Sequence, residues 1–143
     1  MQNPTFAFLG TSIDSKFALE ALAKHGLEPA VTIVTKELPD ELYNTEWDFI
    51  LVCSYGKILP KKLLDLPRRG VINIHPSLLP KFRGPSPYVS AILADEHVTG
   101  VSVMLLEEKV FTNFINKKIC NAKSHTEVLV CVQVESRAAV DEL

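Results

Sequence analysis

The chain is short of the features that place a protein outside the ordinary globular class. Cysteine is scarce: Cys53, Cys120 and Cys131 make an odd count, and no two of them have C-x-x-C spacing. No disulfide framework can be read from such a set, and the three residues read as reduced, buried small hydrophobes of a cytoplasmic protein. Long apolar runs are missing. "FILVC" at 49–53 is five residues long, against the roughly 20 that a membrane helix needs. The first residues lack a basic region followed by an apolar one, so no signal peptide is expected. The terminal "VDEL" lacks the lysine of a retention tail. His25, His75, His97 and His125 show no metal-ligand spacing. Charge of one sign is not in excess either. A formal net charge of −2 provides no overall basic field for nucleic acid. Lys61, Lys62, Arg68, Arg69, Lys81 and Arg83 do fall in one stretch, and the usual fate of such residues is a solvated surface.

What is present is a core. Hydrophobic residues make up 47% of 143 positions, which suits one compact domain over residues 1–143 and excludes disorder. "TFAFLG" at 5–10 is an apolar run closed by glycine, a buried strand. "KFALEALAKHG" has Phe17, Ala21 and Leu22 at helical spacing and Gly26 as its stop. "AVTIVT" at 30–35 is β-branched, "PDELYN" allows a turn or two of helix, and "DFILVCS" at 48–54 is a second buried strand type. "PKKLLDLPRRG" predicts a short helix begun by Pro60 and ended at Pro67, and "VINIH" a fourth strand. "PYVSAILAD" at 87–95 predicts a helix with Val89, Ile92 and Leu93 inward. "TGVSVMLLEE" at 99–108 alternates as a strand, and "NFINKKICN" adds another. The tail carries a S-x-x-E capping box at Ser124 and Glu127, favouring a helix, although "VLVCVQV" is β-branched.

Strands alternating with helices, without surface-type alternation, predict a doubly wound, mostly parallel α/β sheet. Such sheets bind ligands outside the carboxyl ends of their strands. Three segments converge there: "GTS" after the first strand, "SYGK" after the third, and His75 at the end of the fourth. Successive residues of a strand point to opposite faces, so Asn73 and His75 share one face of "VINIH". Burying a polar group without a partner costs roughly 1–3 kcal/mol. Two of them side by side either satisfy loop backbone groups or reach a common reacting atom.

The stretch "SYGKILPKKLLDLPRRGVINIHPSLLPKFRGPSPYVSAILADEHVTGVSVMLLEE" resembles the catalytic domain of the folate-dependent formyltransferases, and among them the methionyl-tRNA formyltransferases. The core of the resemblance is N-x-H-P-S-L-L-P followed by an R-G loop. It implies a Rossmann-like formyltransferase fold and transfer of a formyl group from 10-formyltetrahydrofolate to a primary amine. The implied acceptor is the methionyl group of initiator methionyl-tRNA, or by alternative an amino-sugar nucleotide. Asn73 and His75 become the catalytic pair. Tyr55, Lys57, Ile58, Leu59 and Ile72 would line the folate slot, with no metal. Gly10, Thr11, Ser12, Ser77, Arg83 and Gly84 would belong to acceptor-side loops, "SLLP" being a rigid turn that holds the strand end.

The resemblance also marks departures. An aspartate that orients the histidine should stand where this chain has Phe111, with Glu107 and Glu108 as the nearest substitutes. Losing a charge-assisted hydrogen bond costs about 1.5–3 kcal/mol, or roughly tenfold to a hundredfold in rate. The expectation is therefore an impaired enzyme, the rival being a relic that binds folate without chemistry. The segment between "AVTIVT" and "DFILVCS" is shorter than in the family, and no C-terminal tRNA-binding domain is expected within residues 1–143.

Overall fold

The structure, a computed structural model, describes residues 3–106 and 114–119. Phe111, the other two cysteines, His125 and the tail helix expected from Ser124 lie outside the described residues. Two compact units are distinguished, one running to Ile74 and taking in Leu105 and Leu106, the other running from His75 to Met104 and taking in residues 114–119.

In the first unit four strands pair in parallel: β1 (Phe6–Leu9), β2 (Val31–Ile33), β3 (Phe49–Cys53) and β4 (Val71–His75), in the order β2-β1-β3-β4. The register sets Leu9 beside Val52 and Val52 beside Asn73. β1 is buried along its whole length and β3 from Ile50 onward, because strands flanked by neighbours and covered on both faces have no solvent side. One face carries Ala7, Leu9, Ile50, Val52 and Val71, packed with Leu42, Trp47 and Leu63. Leu42 belongs to a 3₁₀ turn, Asp40–Tyr43, and Leu63 to the short helix α2, Lys61–Leu64. The other face carries Phe6, Phe8, Leu51 and Cys53, covered by Ala18, Leu19 and Leu22 of α1 (Ile13–Lys24). Helices on both faces of a parallel sheet make the doubly wound α/β class that the sequence predicted.

α1 closes with Leu27 N–H donating to the Leu22 carbonyl and Gly26 N–H to that of Ala23, with Gly26 at φ 70°. This is a Schellman stop, and glycine suits it because left-handed backbone crowds a Cβ. Of the residues that the spacing marked on α1, Leu22 packs on the sheet, whereas Phe17 is 62% exposed and the unmarked Ser15 is buried. Ser15 turns inward because its Oγ donates to the Cys53 carbonyl at 2.8 Å, so a hydroxyl holds a position that an apolar count passes over.

In the second unit, α3 (Pro87–Leu93) and β5 (Gly100–Leu106) follow the proline-rich loop, and β5 pairs antiparallel with β6 (Phe114–Ile119). α3 corrects an expectation. Pro87 and Ala91 are its buried residues, while Ile92 and Leu93 are 74% and 83% exposed and Val89 is 42% exposed. Positions four apart share a helix face, so the Pro87–Ala91 pair turns the larger side chains outward. β5 is buried on both faces from Val101 to Met104, so its alternation does not separate core from solvent.

Candidate active site

The order β2-β1-β3 means that the chain leaves β1 toward one side and returns on the other. In open α/β sheets ligands bind at such a switch point, outside the carboxyl ends of the strands. Here the ends of β1 and β3 are tied together. Thr11 N–H donates to the Ser54 carbonyl at 3.3 Å, and Thr11 Oγ1 lies 3.2 and 3.1 Å from the carbonyls of Ser54 and Tyr55. Gly10 permits this closeness. A Cβ built on it would stand 2.3 Å from Ser15 Oγ and 2.6 Å from the Cys53 carbonyl oxygen. Ser12 begins α1, its N–H donating to Ser15 Oγ at 3.2 Å. Asp14 collects two hydroxyls, from Ser12 at 3.4 Å and Ser54 at 3.3 Å. Of these, Gly10, Thr11 and Ser12 were legible in the sequence as a turn after the first strand. Asp14, Ser15 and Ser54 were not singled out, although the run of hydroxyls in "TSIDS" was a usable signal.

Asn73 and His75 lie two residues apart on β4, on the face that carries Val71. Ile72 and Ile74 go to the opposite cluster with Phe6, Phe8 and Leu51. Both polar residues are half-buried. Among the described residues no group hydrogen-bonds the Asn73 carboxamide, whereas His75 Nε2 lies 3.2 Å from the Phe82 carbonyl oxygen. Burial pushes the imidazole below its ordinary value of 6.5, and the Phe82 bond partly opposes the shift, because desolvation disfavours the charged ring.

The residues expected along a folate slot divide. Tyr55 and Leu59 are buried in the core cluster with Leu9 and Ile33, and the Tyr55 hydroxyl has no partner among the described residues. Ile72 packs in the other cluster. Ile58, in contrast, is 94% exposed, and the exposed Lys57 donates through Nζ to the Lys36 carbonyl at 2.7 Å. Lys57 and Ile58 are the exposed members of the five and Ile72 is half-buried, while Tyr55 and Leu59 root the segment from behind. An open groove of about 440 Å³ lies along β2, lined by residues 31–35, 37–39 and 41. It contains none of the motif residues.

In the loop expected on the acceptor side, Ser77 is fully buried, its Oγ donating to the Lys81 carbonyl at 3.0 Å. Arg83 is exposed, and Gly84, also exposed, sits at φ 121°. The basic stretch is largely partnered: Lys61 with Asp65, Arg68 with Glu46, Lys81 with Glu96, and Lys62 over the Tyr43 ring. Among the described residues no cluster of three histidine, cysteine or acidic side chains is placed to hold a metal, and no helix is long and apolar enough to cross a membrane.

A doubly wound, mostly parallel sheet with Asn73 and His75 on one face of β4 defines an α/β domain. A family model described as formyl transferase matches residues 2–129, and the chain belongs to that family. The chain is 48% identical over 73 residues to the methionyl-tRNA formyltransferase of Fusobacterium nucleatum, covering 51% of this chain and 24% of that protein. It is 41% identical over 95 residues to the methionyl-tRNA formyltransferase of Thermodesulfovibrio yellowstonii, covering 62% and 31%. The alignments thus span about a quarter to a third of these relatives' length. Among solved structures it is similar to phosphoribosylglycinamide formyltransferase from Bacillus halodurans, with a TM-score of 0.64 at 22% identity over 86% of this chain and 82% of the other. It is also similar to a formyltetrahydrofolate deformylase from Pseudomonas syringae, with a TM-score of 0.63 at 20% identity over 88% and 53%. These two likenesses establish the fold.

Proposed function

We propose that the chain transfers a formyl group from 10-formyltetrahydrofolate to a primary amine, the methionyl group of initiator methionyl-tRNA, at a rate lowered by Phe111. One observation carries the reading: Asn73 offers a carboxamide with no partner among the described residues on the same strand face as His75. When the amine attacks the formyl carbon, negative charge develops on the formyl oxygen. Asn73 can donate its side-chain N–H to that oxygen. His75, held neutral near pH 7 by burial, can take the proton that the attacking nitrogen must lose, and as imidazolium can return it to the leaving folate nitrogen. The exposed Ile58 offers an apolar surface for a flat ring, and Lys57 a cation for the carboxylates of the donor. The acceptor is supported by the methionyl-tRNA formyltransferases that match 51% and 62% of this chain at 48% and 41% identity.

The test is direct. The purified chain, incubated with 10-formyltetrahydrofolate and charged initiator tRNA, should yield formylmethionyl-tRNA, slowly, and Phe111→Asp should raise the rate tenfold or more. Phe111 itself favours a second reading, a domain that binds folate without chemistry. Folate binding with no formylated product, in both the native chain and Phe111→Asp, would establish that reading and defeat the first.

A further inference from the structure

His75 Nε2 lies 3.2 Å from the Phe82 carbonyl oxygen. A carbonyl accepts hydrogen bonds and never donates one, so this contact is a bond only when Nε2 carries the proton. In the neutral ring the lone pair then sits on Nδ1. Phe82 adopts φ 54°, a left-handed conformation that residues bearing a Cβ rarely hold unaided. The loop must therefore be held from elsewhere, and the hydrogen bonds show where. Ser102, 1% exposed on β5, donates through Oγ to the Ser77 carbonyl at 2.7 Å and accepts from Leu79 N–H at 3.1 Å. Ser77 in turn donates through its N–H to the His75 carbonyl at 2.8 Å and through Oγ to the Lys81 carbonyl at 3.0 Å, the residue before Phe82. Lys81 Nζ is paired with Glu96 at 2.7 Å. All these residues belong to the unit that runs from His75 to Met104.

We propose that Ser102 is a positioning residue for His75: through the loop 77–82 it keeps the Phe82 carbonyl on Nε2 and so leaves Nδ1 as the nitrogen that accepts a proton. The Phe82 carbonyl takes the orienting place that the family resemblance gives to a carboxylate. The proton-accepting role rests on the formyl-transfer reading: the amine N–H bond breaks, an Nδ1–H bond forms from the ring lone pair, and the imidazolium keeps Nε2–H on Phe82. The tautomer does not rest on that reading.

Long-range ¹⁵N–¹H correlation spectra of the ¹⁵N-labelled chain, recorded well above the His75 titration and assigned with His75→Gln, test the proposal. The native chain should show a protonated Nε2 and a pyridine-like Nδ1. A protonated Nδ1 overturns the proposal outright. Ser102→Ala should move the Nδ1 resonance toward the averaged position of a mixed tautomer, and Ser102→Thr, which keeps the hydroxyl, should restore it. A folded Ser102→Ala protein with an unmoved spectrum also overturns it. Should Ser102→Ala not fold, Ser77→Ala carries the same expectation, since it cuts the link to Lys81, and an unmoved spectrum there has the same force. The expected tautomer together with no formyl product would defeat the formyl-transfer reading and leave the Ser102 assignment standing.

Discussion

Asn73 and His75 differ in how their polar groups are engaged, and that difference sets what each substitution should do. The Asn73 carboxamide has no hydrogen-bond partner among the described residues, so Asn73→Ala removes a donor without orphaning another group. A single oxyanion donor is worth about 10²–10³ in rate. The variant should lose that much kcat while its melting temperature stays near that of the native chain. A large loss of stability with unchanged kcat would mean the carboxamide is structural. His75 makes a pH prediction. Burial holds its folded pKa below 6.5, so on acidification the unfolded chain takes the proton first and unfolding is favoured. The contribution is intact above 6.5 and is lost as pH falls from there through the lower folded value. Denaturant unfolding at pH 7.5 and pH 5 should show a larger loss for the native chain than for His75→Gln. Equal losses would show that the imidazole is not the group responsible.

At the scale of elements, the junction of β1, α1 and β3 depends on Gly10. An added Cβ would meet Ser15 Oγ at 2.3 Å and the backbone oxygen of Cys53 at 2.6 Å. Ser15 Oγ can rotate away, but Ser15 Cβ at 2.5 Å and the Cys53 carbonyl, part of a central strand, cannot. Gly10→Ala should therefore destabilise by about 1–3 kcal/mol, the usual cost of overpacking, seen as a drop of several degrees in melting temperature. An unchanged melting temperature would show that α1 is free to move away from the sheet. Residue spacing misplaces Phe17 on α1 and the inner face of α3 for one physical reason. The inward serine at 15 and the inward Pro87 and Ala91 are small or polar, while Phe17, Ile92 and Leu93 are large, apolar and exposed. Hydrophobic spacing ranks positions by residue type, and these faces are chosen by hydrogen bonding and close approach.

At the scale of the molecule, the chain belongs to the formyl transferase family while the methionyl-tRNA formyltransferases it matches align over only about a quarter to a third of their own length. Donor binding can be tested apart from chemistry. A ligand that binds only the native state stabilises it, by about 2.7 kcal/mol at a hundredfold excess over Kd. A non-reactive folate analogue should raise the melting temperature in the native chain and equally in Asn73→Ala, because in the proposed reaction the carboxamide acts only on charge that develops as the formyl group is attacked. No shift at millimolar analogue would remove the folate from the proposed function.

Strand number and order of appearance, the parallel α/β class and the pairing of Asn73 with His75 were determined by the sequence alone. Their signals are local: apolar run length, turn residues and the two-residue period of a strand all act between neighbours in the chain. The tertiary structure decided what those signals do not encode. It buried Tyr55 and Leu59 while leaving Ile58 open, turned Ser15 onto the Cys53 carbonyl, and brought Ser102, 27 positions after His75, onto the Ser77 carbonyl of the loop that begins at the histidine. Hydrogen bonds between residues so far apart in the chain depend on strand order and loop path, and no spacing within a short window specifies those.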